Sequence, residues 1–133
     1  HPEARIVVTM NPPTREYRDS KPMSSATRGR FRGFWQGYPD TVDAEVETLD
    51  KQLNTPRPVV DGDTLEKIVE FAHRTRKDEF TNWPTLSTRN LTIVIEHIAD
   101  GASPQAALRN VLRMVAEPNQ RPEDAHDALG GVF

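Results

Sequence analysis

The first apolar stretch of the chain is short and β-branched. Residues 5–10, RIVVTM, predict a strand that is buried on both faces, and Asn11 followed by two prolines ends it. No convincing second strand follows, and a single strand cannot form a sheet. We therefore expect this strand to pair with residues outside this sequence or with a partner chain.

After residue 38 the apolar residues recur with the period of a helix. The pattern predicts four amphipathic helices, over residues 41–54, from about 63 to near 81, over 87–100 and over 103–118, with a weaker helix after Pro122. Short connections between such helices are typical of a small bundle. The predicted core stripes are Val42, Val46, Leu49 and Leu53; Leu65, Ile68, Val69 and Ala72; Leu91, Val94, Ile95 and Ile98; and Leu108, Val111, Leu112 and Val115.

Start and stop signals accompany these helices. Small polar residues that cap a first turn, and glycine or proline beyond a last turn, are the expected signals. The predicted N-caps are Asp40 or Thr41, then Asp63 with Glu66 three residues later, then Ser87, then Ser103 with Pro104 behind it; Gly101 ends the third helix. The fold class is therefore mainly α, with one strand and an arginine-rich loop ahead of the bundle.

Composition and charge narrow the class of protein. Hydrophobic residues make up 35% of the 133 positions and charged residues 28%, and the net charge is −3. So small a net charge creates no field that would attract nucleic acid or an anionic membrane to the whole chain. There is no cysteine, and no apolar run approaches the length of a membrane span. A cytoplasmic protein is the default expectation, and because the sequence starts at His1 without a Met, we expect it to be a piece of a longer chain.

Familiar catalytic and metal-binding motifs are absent from the sequence. The four histidines show no ligand spacing such as i, i+4, and the chain contains no GxxxxGK[ST], GxGxxG or GxSxG. We therefore expect no metal site and no complete catalytic centre in this chain.

Three unusual features remain as candidates for chemistry. Asn11 stands at the carboxyl end of the strand, where open α/β sheets bind ligands, although Asn before Pro also simply starts turns. The loop 28–32 carries Arg28, Arg30 and Arg32, and the guanidinium group of arginine matches the geometry of phosphate. A surface loop or a contact with single-stranded nucleic acid is the alternative. Arg89 lies in the first turn of the third helix, where a cation opposes the helix dipole unless an anion is held there; an ordinary surface arginine is the alternative.

In chain order these features resemble a known family. The segments HPEARIVVTMNPP, PMSSATRGRF and YP, followed by LSTR, are similar to the MoxR-like branch of the AAA+ ATPases. Members of that branch typically carry HP before a strand, ATMNP at its end, an RF pair, YP and later LSPR. The resemblance extends over about the first 40 residues and, less closely, over residues 86–116.

The resemblance implies a fold and a set of roles. Residues 1–38 would be the end of the α/β core and residues 39–133 the helical lid, with a hinge near 37–41. Asn11 matches sensor 1, which orients the attacking water, and Arg30 matches the arginine finger that acts on a neighbouring subunit's ATP, with Arg28 as the fallback. Arg89 matches sensor 2, the lid arginine that contacts the nucleotide. The cofactors would be ATP and Mg²⁺. The assembly would be a homo-oligomeric ring, usually a hexamer, and the partner would be an unidentified client protein.

Departures from the family pattern limit these implications. Met23 stands where Leu is usual, no acidic residue precedes the final arginine of the RF pair, and Thr88 replaces the Pro of LSPR. The Walker A and B motifs would lie before His1, so the chain by itself should neither bind ATP well nor hydrolyse it. A different class of function stays open: a freestanding helical interaction module that binds a protein or nucleic acid through its arginine loop.

Overall fold

The computed structural model describes Ser24 and residues 37–53 and 60–133. The predicted strand and arginine loop lie outside these residues, as does the end of the predicted first helix at residue 54. Residues 37–133 form one compact unit. In its described part the structure is helical and contains no strand.

Five helices follow one another in the described part of this unit. They are α1 (Val42–Leu53), α2 (Gly62–Thr75), α3 (Thr88–Ala99), α4 (Pro104–Val115) and α5 (Pro122–Leu129), with a short 3-10 turn at Asp78–Phe80 between α2 and α3. Helix α1 packs on α2 and α3, α2 also contacts α3 and α4, α3 lies along α4, and α5 covers α4. The mainly helical class is confirmed, and the weak last helix is present.

Hydrophobic burial holds the bundle together. The predicted stripes point inwards, and side chains from all five helices and from the segment before α3 meet in one core. Removing this apolar surface from water is the main driving force for folding. The buried core residues are Leu49, Leu65, Ile68, Val69, Phe71, Ala72, Leu86, Leu91, Val94, Ile95, Ala107, Leu108, Val111, Leu112, Ala125 and Leu129.

Local capping fixes the helix starts. The Thr41 hydroxyl accepts a hydrogen bond from the Ala44 amide at the start of α1, and the Ser103 hydroxyl accepts one from the Ala106 amide at the start of α4. The predicted cap of α2 was wrong. Asp61, not Asp63, accepts from the Thr64 amide at 2.9 Å, and its other carboxylate oxygen accepts from the Thr64 hydroxyl at 2.7 Å. Because Asp61 is the N-cap, the helix begins at Gly62.

Helix α2 also ends six residues earlier than predicted, at Thr75. The Thr75 hydroxyl donates to the Ala72 carbonyl at 2.8 Å and accepts from the Leu86 amide at 3.0 Å. Beyond it the chain turns through Asp78–Phe80, and the Phe80 ring stacks on Trp83 with 4.3 Å between ring centroids. The tertiary bond to Leu86 and the aromatic stack replace the last helical turns that propensity alone would favour.

Gly101 ends α3 with a backbone that other residues rarely adopt. Its φ is +97°, and its amide donates to the Ile98 carbonyl at 2.9 Å. A Cβ on this residue would meet no atom within 4 Å, so any cost of adding one comes from the backbone and not from a clash. Gly62 is likewise open to a Cβ, but it lies in the first turn of α2 without a positive φ.

Replacing these two glycines should have opposite effects on stability. Gly101→Ala should lower the free energy of unfolding by about 1–2 kcal/mol, because alanine is strained at positive φ. Gly62→Ala should leave it unchanged or raise it by up to about 1 kcal/mol, because alanine reduces the freedom of the unfolded chain. Urea unfolding followed by circular dichroism measures both. Equal effects of the two variants would contradict this explanation.

Candidate functional site

The structure describes one of the four predicted site residues. Asn11, Arg28 and Arg30 lie outside the described residues, so their predicted roles stay predictions. Arg89 is in the first turn of α3 and is exposed. Within the described part of the chain its side chain forms no hydrogen bond or ion pair, so no protein anion there offsets its position at the positive end of the helix.

The turn that carries Arg89 is held by a reciprocal cap. The Ser87 hydroxyl accepts from the Asn90 amide at 3.2 Å, and the Asn90 side-chain oxygen accepts from the Ser87 amide at 2.8 Å. Two backbone N–H groups that a helix start would leave unpaired are thereby satisfied. The predicted Ser87 cap is confirmed, and asparagine takes the place usually held by Glu or Gln.

A buried carboxylate lies directly behind this turn. Glu45 of α1 has none of its surface exposed, and its oxygens accept four hydrogen bonds. Arg76 gives two of them through both ends of its guanidinium, at 2.7 and 2.8 Å. The Thr88 hydroxyl, one residue before Arg89, gives a third at 2.7 Å, and the His73 ring lies 2.8 Å from the second carboxylate oxygen. One carboxylate therefore joins α1, the end of α2 and the start of α3.

Arg76 is fixed as firmly as the carboxylate it pairs with. Its Nε donates to the Leu86 carbonyl at 2.7 Å, and its guanidinium lies 4.2 Å from the centre of the Tyr38 ring. Only 9% of the side chain is exposed. Bidentate pairing combined with aromatic stacking is an arrangement that arginine supports and lysine does not. The guanidinium of Arg76 is thus held within the bundle by Glu45, Leu86 and Tyr38.

The electrostatics of Glu45 follow from these contacts. Burial by itself raises the pKa of the Glu45 carboxyl, but hydrogen bonds from Arg76 and Thr88, helped by the positive charge of Arg76, outweigh burial and hold the pKa below its usual range. The carboxylate therefore stays ionised at neutral pH. With both oxygens occupied, it has no capacity left to act as a general base or a metal ligand.

Analysis of the sequence missed this network, although a signal for it was present. Glu45 falls three residues after Val42 and four before Leu49, which places a charged residue on the apolar stripe of α1. A glutamate on a core-facing stripe needs a buried partner. The sequence does not show which residues are the partners, because Arg76 and Thr88 lie 31 and 43 residues away from Glu45.

Neither a metal centre nor a membrane segment emerges from the described residues. They contain no group of three or more His, Asp or Glu side chains that could hold a metal ion. Among the helices described, none is long and apolar enough to cross a bilayer. The predicted ATP and Mg²⁺ therefore stay predictions. Comparisons with family models, with curated proteins and with solved structures found no match.

Removing the charge of Glu45 should strongly destabilise the bundle. Glu45→Gln leaves Arg76 buried without its counter-ion, and breaking a buried pair in this way costs about 3–5 kcal/mol of unfolding free energy. Urea unfolding of the full chain measures it. The matched control is Glu47→Gln on the same helix, since Glu47 pairs with Lys51 on the surface, where both side chains are more than half exposed.

The control should leave stability almost unchanged. Combining Glu45→Gln with Arg76→Gln should cost less than the sum of the single changes, because the second change removes the stranded charge. Equal costs for Glu45→Gln and Glu47→Gln would show that the buried network does not hold the helices together.

Proposed function

We propose that this chain is the carboxyl-terminal part of a MoxR-like AAA+ ATPase. Residues 1–38 would complete the α/β core, and residues 39–133 would form the helical lid. The intact protein would be a cytoplasmic ring, a hexamer in the usual form of this family, which couples ATP hydrolysis to remodelling of a client protein. The mainly helical fold of the described residues is the coarse feature that agrees with a lid.

The observation that carries the proposal is the setting of Arg89. A lid sensor has to reach a nucleotide outside the lid, and it also has to be rigidly attached to the lid. Arg89 is exposed, while its neighbour Thr88 is bonded to the buried Glu45 and the turn is capped by Ser87 and Asn90. An anion at this helix start would gain backbone N–H groups and a guanidinium together. This arrangement supports a sensor 2 role for Arg89.

One departure from the family pattern also has a physical explanation. Thr88 stands where the family typically has proline in LSPR. Its hydroxyl donates to Glu45, a bond that proline could not form. Thr88 thus keeps a helix-starting position and adds a link to α1. This bond supports a rigid platform for Arg89, although Thr88 itself remains a difference from the family pattern.

The remaining roles divide the phosphoryl-transfer chemistry between subunits. Asn11 would orient the attacking water at the end of the core strand, and Arg30, or Arg28 in its place, would stabilise negative charge on the ATP of the neighbouring subunit. ATP and Mg²⁺ would be held chiefly by Walker residues that precede this sequence. A finger that acts across a subunit boundary makes ring assembly part of the mechanism.

The second candidate is a freestanding helical interaction module. One observation favours it: residues 37–133 form a compact unit with a continuous apolar core. Such a unit has the elements needed to fold by itself. In that case the arginines of residues 28–32 would contact a protein or nucleic acid, and nucleic-acid binding would weaken steeply with salt.

Reading the gene upstream of the His1 codon separates the two candidates. The ATPase proposal expects a GxxxxGK[ST] motif followed by an apolar strand that ends in acidic residues. A stop codon or a translation start close to His1, with no such motif, would overturn it and favour the interaction module.

Variants of the intact ATPase should then distinguish the arginines. Arg30→Ala should lower turnover by about 10³-fold or more while ATP binding is kept, since an arginine finger acts on the transition state. Asn11→Ala should also spare binding and lower turnover. Arg89→Ala should weaken ATP binding or uncouple it from hydrolysis. Isothermal titration and steady-state hydrolysis measure the two effects.

An exposed cation elsewhere in the lid provides the control. Lys67→Ala, on the surface of α2, should change neither binding nor turnover. If Arg89→Ala behaves like Lys67→Ala, Arg89 is an ordinary surface residue. If Arg30→Ala abolishes ATP binding while the oligomer is unchanged, the finger assignment is wrong.

A further inference from the structure

His126 occupies an unusual place for a titratable side chain. It lies on α5, the last helix, and only 7% of the residue is exposed. Its neighbours on the same face, Ala125 and Leu129, are fully buried, and α5 packs on α4. The imidazole is therefore part of the contact that attaches α5 to the bundle.

One ring nitrogen of His126 is buried without a partner. Nε2 has no hydrogen-bond partner among the described residues. A neutral imidazole, which can leave Nε2 without a proton, fits this setting. Protonation would place a charged N–H on Nε2, where the described residues offer no acceptor, and this is costly in a buried site.

The surrounding charges act in the same direction on balance. Arg113 and Arg109 of α4 oppose a positive charge on the ring, whereas Glu123 of α5 and the backbone of Arg109 favour it. Burial is the largest influence, and together these effects lower the pKa of His126 below its usual value. Protonation therefore competes directly with the packing of α5 on α4.

Helix α5 has little stability apart from this packing. It is eight residues long, and its N-cap residue Arg121 makes no side-chain capping bond. Isolated helices shorter than about 12 residues are marginal in water. One backbone bond, from the Arg121 amide to the Asn82 carbonyl at 2.8 Å, ties the start of α5 to the turn before α3. The buried face around His126 is what keeps the rest of the helix attached.

We propose that α5 is a pH-sensitive latch, docked on α4 while His126 is neutral and released when acid protonates the ring. Release would expose Leu129, Ala125 and the part of α4 that they cover. This inference does not rest on the ATPase proposal, because it concerns contacts within the bundle alone.

The sign of the pH dependence follows from linkage. A folded-state pKa below the unfolded value of about 6.5 means that the undocked helix binds more protons. The stabilisation by His126 is then complete above about pH 6.5 and is lost as the pH falls through the folded-state pKa. One proton gives a slope of at most about tenfold in the docking equilibrium per pH unit.

Hydrogen exchange of the full chain, measured between pH 7.5 and 5.0 and corrected for the intrinsic exchange rate, tests the latch. Amides of α5 should lose protection by up to about tenfold per pH unit below 6.5, while amides of α2 keep theirs. His126→Asn, which keeps a side-chain N–H donor near the position of Nδ1 but does not titrate, should abolish this pH dependence. His97→Asn on α3 is the matched control and should retain it.

A second measurement tests the latch even if α5 does not dock on α4 in the His126→Asn variant. The ring signal of His126 in the unaltered protein, followed by NMR, gives its pKa directly. A pKa clearly below 6.5, together with loss of protection in α5, supports the latch. An ordinary or raised pKa, or α5 protection that is equal at pH 7.5 and 5.0, overturns it.

Discussion

The buried carboxylate of Glu45 is the constraint on which the arrangement of the first three helices depends. A charge without solvent requires several partners at fixed distances, and here Arg76, His73 and Thr88 supply them from two other helices. Apolar packing alone tolerates small sliding and repacking of helices. A bidentate ion pair with a hydroxyl at its side tolerates far less, so Glu45 fixes how α1, the end of α2 and the start of α3 meet.

This constraint connects the interior of the bundle to its surface at one place. Thr88 bonds to Glu45, and Arg89 follows immediately with its side chain exposed. An interaction of Arg89 with an outside anion would therefore act on a turn that cannot move separately from α1 and α2. If the bundle is the proposed lid, this rigidity would make Arg89 and the body of the lid move together. An interaction module would have less need of this rigidity, because binding a partner does not require the binding residue to move together with the rest of the bundle.

The sequence predicted correctly those features that depend on residues close together in the chain, such as the start of α3. Ser87, Ser103 with Pro104, and Gly101 act within one helical turn of themselves, and all were assigned correctly. The apolar stripes also predicted the core. The end of α2 and the partners of Glu45 depend on contacts between residues distant in the chain, such as Thr75 with Leu86, and periodicity carries no information on these. For the candidate site, the position of Arg89 in a first helical turn made it a candidate and the family resemblance suggested its role, but neither predicted the network beneath it.

Two parts of the bundle, the Glu45 network and the α4–α5 contact, should respond to acid in different pH ranges. The folded-state pKa values of Glu45 and His126 are both lowered, so each group stabilises the fold above its unfolded pKa and ceases to do so as the pH falls through its folded one. For an ordinary Glu the upper limit is about 4.3, and for His about 6.5. Between these values the Glu45 carboxylate should stay ionised, while the α4–α5 contact should weaken. Mild acid thus acts on the last helix and leaves the platform of Arg89 in place, so the two could respond to different signals within one small domain.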